Sequence, residues 1–471
     1  MLPRLFATPL PRPSRGGSRS RERHRTTTGK GHDRPGQRRT RVSARHNLPT
    51  MSITTPERHE TVPTVPPASP SPRRGVASRT DRFTESVIRE MTRLIQLHHP
   101  DDGINLAQGF PDFPAPRALK DAAIAAIEAD INQYAVTWGA PNLRRAIAAK
   151  YHHHYGIAVD PDTEVTVCCG ATETMLATLM ATVNPGDEVV IIAPYYENYW
   201  PDAVLAGATP RFVTLREPDF DGDPARQSWR LDLDELSDAF NERTAAIVIN
   251  TPGNPTGKVF NRTELEAIAH LCQKWDALAI TDEIYEHILY TGEHVPLATL
   301  PGMRDRTVTI SGASKTYGVT GWRVGWAIAP AWLTNPIRKV HDFLTVGAPA
   351  PLQAAIAIAT GLPDQYYQDL RASYTMKRDS MVDALAEAGF RFASPEGAYY
   401  VMVDITPFTT ATGEDDTAFS RRLIVDHGLA TVPGSSFFPE PGQGHNRVRF
   451  SFPKKPETLA RAAERLRTIR H

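Results

Sequence analysis

Three apolar runs in the middle of this chain each lead directly into residues that can do chemistry. Ala245–Ile249 runs into Asn250-Thr-Pro-Gly-Asn254-Pro-Thr-Gly257, Ala277–Ile280 into Thr281-Asp282-Glu-Ile-Tyr285, and Val308–Ile310 into Ser311-Gly-Ala-Ser314-Lys315. Short runs that are apolar throughout predict strands covered on both faces of a sheet. In open α/β sheets, ligands bind beyond the carboxyl ends of the strands. An amide, a carboxylate, a phenol and an amine can therefore meet in one crevice. Lys315 sits among small residues straight after a buried strand, a poor setting for a solvated surface lysine. Asp at a strand end and Asn before Pro are also ordinary turn chemistry, and that plain alternative stands beside the chemical one.

Other positions suit an anion. Gly170-Ala171-Thr172 lies at a strand-to-helix junction, where free backbone N–H groups and the helix dipole favour negative charge. Thr172 adds a hydroxyl, and Arg323 is a permanently charged fork in the segment after Lys315. Near the C-terminus, Arg447-Val-Arg449-Phe-Ser-Phe452 reads as a strand whose two arginines share a face. Such a guanidinium can clamp a carboxylate with two hydrogen bonds.

The elements that must hold these residues alternate between strand and helix. Further strand candidates are Val165–Cys169, Glu188–Ile192 and Val324–Ile328, with helical spacing between runs, as over Thr263–Lys274. This predicts an α/β layout with a mostly parallel sheet. Helical patterns also cover 82–97 and 118–129. After about residue 345 the texture changes to a long helical region, Pro351–Gly389, two strand candidates, Tyr399–Val403 and Arg447–Phe452, and a closing helix over 456–469.

Composition narrows the function classes. Of 471 residues, Lys+Arg and Asp+Glu number 53 each, so no global charge points to nucleic acid or an anionic membrane. No stretch is apolar enough to span a bilayer. Three cysteines cannot form a disulfide framework, and the adjacent Cys168 and Cys169 would face opposite sides of a strand; a reducing compartment is the simple reading. His152-His153-His154 would spread around a helix rather than share a face, so no metal is expected there. Residues 1–79 form a basic extension rich in Pro, Arg and Ser, predicted to be disordered. An organelle-targeting role for residues 1–50 competes with a start at Met51, and Pro66-Pro67 argues against an amphipathic targeting helix. Order is expected to begin near Thr80.

Several blocks occur in one order: NLAQGFPDFP from Asn105, NQY at 132–134 followed by Gly139, GATET from Gly170, APYYENY from Ala193, NTPGNPTG, TDEIYE, SGASKTYG followed by TGWRVGW, and RVRFSF. Together they resemble the class I/II aminotransferases of pyridoxal-5′-phosphate (PLP) fold type I, and among them the kynurenine, glutamine and methionine transaminase group. The resemblance runs from about Thr80 to the C-terminus. It implies a large PLP-binding domain, 131–344, with a mostly parallel seven-stranded sheet flanked by helices. It also implies a smaller discontinuous α+β domain, made of 345–471 with part of the N-terminal arm, 80–130. The implied activity is transfer of an amino group from an L-amino acid to a 2-oxo acid such as 2-oxoglutarate, in ping-pong order.

Residue roles carry over from the same likeness. Lys315 is the expected Schiff-base lysine and proton shuttle, and Asp282 the partner of the pyridine nitrogen. Tyr285 and Asn254 would bond the ring's 3-oxygen. Phosphate would be held by Gly170, Ala171, Thr172, Arg323, Ser311 or Ser314, and by Tyr134 of a partner subunit, in a cytoplasmic homodimer with shared sites. Tyr196 is the candidate for stacking on the ring, with Tyr195 its competitor. Arg449, Asn254 and the backbone of Gly109 would take the substrate α-carboxylate.

The sequence departs from the pattern in places. Many relatives have Ser three before the lysine, where this chain has Gly312, so Ser311 and Ser314 are both candidates to compensate. Thr172 and Val346-Gly347 stand where relatives that prefer aromatic substrates carry an aromatic residue and a Phe-His pair. That weighs against a kynurenine or phenylalanine preference, and no second arginine for a side-chain carboxylate is identifiable. A PLP-dependent C–S lyase on the same fold is the alternative enzyme. A transaminase-like regulatory protein would need a DNA-binding module in front, yet residues 1–80 show no periodic helix pair.

Overall fold

The structure, a computed structural model, describes residues 75–221 and 227–469. In chain order the strands are β1 (Ile104–Asn105), β2 (Val165–Cys168), β3 (Glu188–Ala193), β4 (Thr209–Thr214), β5 (Thr244–Asn250), β6 (Leu278–Asp282), β7 (Thr307–Gly312), β8 (Gly325–Ile328), β9 (Arg391–Phe392), β10 (Tyr400–Asp404), β11 (Leu429–Ala430), β12 (Val432–Pro433) and β13 (Arg447–Ser451). Seven of them form one sheet in the order β2-β8-β7-β6-β5-β3-β4. All its pairings are parallel except those of β8, which runs against both β2 and β7. The central strands are buried residue after residue, as strands with helices on both faces must be.

The predicted strands appear with small shifts of boundary. Cys169 falls just beyond β2, and all three cysteines are free. β4 is missing from the sequence reading for a physical reason. It is the sheet's edge, its sequence Thr-Pro-Arg-Phe-Val-Thr carries Pro and Arg, and most of its residues are partly or fully exposed.

Helices α1 (Val87–His98), α2 (Arg117–Glu128), α3 (Pro141–Tyr155) and α4 (Ala171–Thr182) precede β3. The pattern predicted over 82–97 divides into a 3-10 turn, Ser78–Arg82, and α1, whose start is set by Ser86 capping the Arg89 N–H. The 3-10 turn begins just before the predicted onset at Thr80; the rest of the predicted extension, residues 1–74, lies outside the described residues. The single helical region expected over Pro351–Gly389 is two helices, Ala350–Ala359 and Asp364–Glu387, parted at Gly361-Leu-Pro363. His152–His154 close α3, where they lie beside the last free carbonyls, and Gly156 ends the helix in the left-handed conformation.

A second sheet, order β12-β13-β10-β9, is antiparallel, and β1 pairs with β11. Helix α1 packs against β11, β12 and the helix Asp416–His427. The second sheet is fastened to the first through an apolar cluster in which Ile284 and Tyr285 join Tyr399, Tyr400, Val401 and Phe450.

Between α3 and the strands β6 and β7 lies a buried ionic network. The Lys150 ammonium of α3 is 2.5 Å from the Glu286 carboxylate, which also accepts the hydroxyls of Ser311 (2.9 Å) and Tyr155 (2.7 Å). Burial alone would raise the Glu286 carboxyl, but Lys150 and the neighbouring imidazoles outweigh it and hold it below the usual carboxylate range. Removing one partner of such a pair strands a charge in the interior, at about 3–5 kcal/mol. Lys150→Met is therefore expected to lower stability by that amount in urea unfolding. A loss below about 1 kcal/mol, the level of an exposed pair, would show that the network is solvated.

Candidate active site

The parallel register brings the polar ends of β5 and β6 side by side, since Asn250 pairs with Asp282. The Asn250 amide donates to the Asp282 carbonyl (2.8 Å), and its oxygen accepts the Asn254 N–H (2.7 Å), which fixes the turn that carries Asn254. Asp282, Tyr285, Asn254 and Lys315 line one cavity of about 420 Å³, together with Ala171, Thr172, Tyr196, Ser314, Arg323, Gly109 and Arg449.

Asp282 and Arg449 are buried and Lys315 is half-buried, and none of the three makes an ion pair among the described residues. Asp282 accepts the Tyr199 hydroxyl (2.7 Å) and the Ile284 N–H (3.3 Å). Burial raises its carboxyl above the ordinary aspartate value, the Tyr199 hydrogen bond only partly opposing this. Lys315, on a short turn of helix after β7, donates from Nζ to the Gly109 carbonyl (3.3 Å). Desolvation pushes its amine down to about 8; Asp282 opposes this and Arg323 and Arg449 add to it. Arg449 is fully buried. Its Nη1 donates to Asn254 Oδ1 (2.7 Å) and its Nη2 to the Ala107 carbonyl, while Nε has no partner among the described residues. The guanidinium lies 4.4 Å from the centre of the Tyr400 ring and 5.0 Å from that of Phe437. A Cβ at residue 109 would come within 2.0 Å of the Tyr400 hydroxyl, so only glycine fits there.

The anion cradle is equally close-fitting. Gly170 has φ +87°, and a Cβ there would meet the Arg323 guanidinium at 2.4 Å. A Cβ on Gly325 would lie 2.6 Å from the Ala171 nitrogen. Arg323 itself takes the left-handed conformation, φ 53°, and its Nη1 donates to the Thr320 carbonyl (3.0 Å). Free N–H groups in the first turn of α4 and an arginine thus face one space.

Three expected site residues do not line this cavity: Gly170, which lies behind the Arg323 guanidinium, Ser311 and Tyr134. The Ser311 hydroxyl, on β7, donates to the Glu286 carboxylate (2.9 Å), whereas Ser314, on the helical turn after β7, lines the cavity. Tyr134 stands 88% exposed and outside the cavity of its own chain. Between the two stacking candidates, Tyr196 lines the cavity, whereas Tyr195 is buried against Phe212, ring centres 5.6 Å apart. Sequence reading missed Tyr199 and Tyr400. Tyr199 holds Asp282, and the Tyr400 hydroxyl is 2.9 Å from that of Tyr285. Tyr199 was in view as the last residue of the APYYENY block, but its reach to Asp282 depends on the packing of the short helix Tyr199–Leu205.

Residues 101–466 match the family of aminotransferase class I and II. The chain belongs to that family. A kynurenine–oxoglutarate transaminase from Dictyostelium discoideum is 36% identical over 417 residues, which cover 83% of this chain and 95% of that protein. The solved structure of N-succinyldiaminopimelate aminotransferase from Mycobacterium tuberculosis superposes with a TM-score of 0.79 at 39% identity, covering 84% of this chain and all of that one. A methionine aminotransferase structure from Escherichia coli gives 0.76 at 36% identity, covering 83% of this chain and 99% of that one. The protein is therefore a PLP-dependent transaminase of fold type I.

The residues present fit that cofactor. A buried carboxylate suits a ring nitrogen, an amine of lowered basicity suits an aldehyde, and the glycine-lined cradle with Arg323 suits a phosphate. Because desolvation sets the Lys315 amine near 8, more of it is neutral and nucleophilic as pH rises through that value. The rate at which cofactor-free aminotransferase captures PLP, followed by absorbance, is expected to climb with a midpoint near pH 8. A midpoint above 10, that of an ordinary lysine, would contradict the burial.

Proposed function

We propose that this aminotransferase moves the amino group of an L-amino acid to a 2-oxo acid, with 2-oxoglutarate as an acceptor, and that Lys315 is the residue on which the reaction turns. The observation that carries this is a set of charges without ion-pair partners in one cavity: buried Asp282 and Arg449 with half-buried Lys315. Each asks for a ligand group of complementary chemistry. When bound, PLP supplies an electron sink for the pair left as the substrate's α-proton departs.

The chain's own groups would do the rest. Arg449, steadied by Asn254 and stacked on Tyr400, would bind the substrate α-carboxylate and fix its orientation. Lys315 Nζ, the amine among the described lining residues, would take the α-proton and return it on the other side of the exchange. Asp282, held by Tyr199, would keep a proton on the ring nitrogen by charge pairing. The Tyr285 hydroxyl, backed by that of Tyr400, would donate to the ring oxygen. Arg323 and the first turn of α4 would hold the phosphate.

The working unit we propose is a homodimer in which Tyr134 serves the partner's phosphate site. Support comes from exposed large apolar residues around it, Val136 and Trp138 on the same segment, and from Phe343, 92% exposed, and Val346 elsewhere in the chain. The free cysteines suit a cytoplasmic setting, and no helix among the described residues is long and apolar enough to cross a membrane.

Lys315→Ala is expected to abolish turnover, and Asp282→Ala to cut kcat by more than tenfold, or about 1.4 kcal/mol. Near-normal turnover in the first, or a smaller loss in the second, would remove those roles. Tyr134→Phe and Lys315→Ala chains refolded together should recover activity beyond the sum of the two alone, because each mixed dimer contains one complete site. No recovery would refute the shared site.

A further inference from the structure

The cavity around Lys315 does not end at its mouth. Ser86, Arg89, Glu197 and Asn198 line it and also line an outer cavity of about 640 Å³, bordered by Trp200 and Phe438. Every charged side chain lining the inner cavity but one makes at least one hydrogen bond to a neutral group of the chain. Asp282 takes the Tyr199 hydroxyl, Glu197 accepts the hydroxyl of Ser86, Arg323 donates to Thr320, Arg449 to Asn254, and Lys315 to Gly109. The Arg89 side chain is exposed and makes no hydrogen bond or ion pair among the described residues, while its backbone N–H is shared between the Ser86 carbonyl at 3.2 Å and Ser86 Oγ at 3.3 Å.

Its place in the helix makes this more telling. Arg89 lies in the first turn of α1, where the macrodipole disfavours a cation and favours an anion. Local helix energetics thus give no reason for an arginine here. The same dipole would add to the pull of Arg89 on a carboxylate arriving at the junction.

We propose that Arg89 is a specificity-determining residue, and that the junction between the two cavities is a subsite for amino acids and 2-oxo acids whose side chain ends in a carboxylate. This deepens the transaminase reading and rests on it. The α-carboxylate goes to Arg449 and the distal carboxylate to Arg89, while the outer cavity gives room for side chains longer than that of glutamate. Glu197 lines the same junction, and the Ser86 hydroxyl it accepts leaves its charge in place, so the pull of Arg89 on a distal carboxylate must outweigh that repulsion.

The test uses the PLP-loaded enzyme with 2-oxoglutarate and with neutral 2-oxobutyrate as acceptors from one donor. In Arg89→Ala the ratio of kcat/KM for 2-oxoglutarate over 2-oxobutyrate should fall at least tenfold, mainly through KM. Arg89→Lys should restore part of the ratio. Glutarate, an unreactive dicarboxylate, should lose affinity for Arg89→Ala to a similar extent when its binding is read from the cofactor's absorbance. An unchanged ratio, equal losses with both acceptors, or unchanged glutarate binding would overturn the assignment. A wild-type enzyme that transaminates no pair at all would instead overturn the reading beneath it, a result distinct from active wild type with an indifferent Arg89.

Discussion

Charge buried without its counter-charge is the constraint around which this site is built. A guanidinium with two hydrogen bonds to neutral oxygens, a carboxylate held by a phenol and an amide, and an amine facing a carbonyl are all costly to desolvate. They persist because the strands that carry them are fixed elsewhere, and because a zwitterionic cofactor and a carboxylate substrate would repay the desolvation. The lowered basicity of Lys315 and the raised pKa of Asp282 are two sides of this one fact. Neither shift would survive if water filled the cavity or if the two groups paired directly.

Holding such charges apart requires stiffness behind them. The Glu286–Lys150 pair, with Ser311 and Tyr155, anchors the segment just after Tyr285 to β7 and α3. On the other side, the aromatic cluster of Tyr285, Tyr399 and Tyr400 locks the second sheet against the first. The tight contacts at Gly109, Gly170 and Gly325 belong to the same economy of space: a phenol, a guanidinium and backbone come closer than a Cβ would permit. A site assembled from loops alone could not hold these separations.

The inner cavity is defined by strand ends, but its outlet is defined by α1, which is distant in sequence from all of them. That division matches a division of chemistry. Residues after β5, β6 and β7 present the amide, carboxylate, phenol and amine of the inner cavity, and the chain's similar proteins bear names referring to kynurenine, methionine and N-succinyldiaminopimelate. The residues proposed to meet a side chain come from α1, an element outside the seven-stranded sheet. This is why a substrate preference is proposed here from Arg89 and not from the motifs.

The sequence by itself determined the family and most of the polar centre. Apolar runs ending in Asn254, Asp282 and Lys315 are local signals, because a parallel strand buried on both faces must release its first polar residues at its carboxyl end. What it could not determine depends on long-range packing. The edge strand β4 has no apolar run to announce it. Tyr199 and Tyr400 act through hydroxyls that reach across elements, Tyr199 to Asp282 and Tyr400 to Tyr285. Ser311 and Ser314 are equivalent as letters, and only the pleat of β7 and the turn after it send one to Glu286 and the other to the cavity. Arg89 is an ordinary surface arginine in the sequence. It comes to line the cavity only because α1 packs against β11 and β12, a juxtaposition of residues hundreds of positions apart that no local pattern encodes.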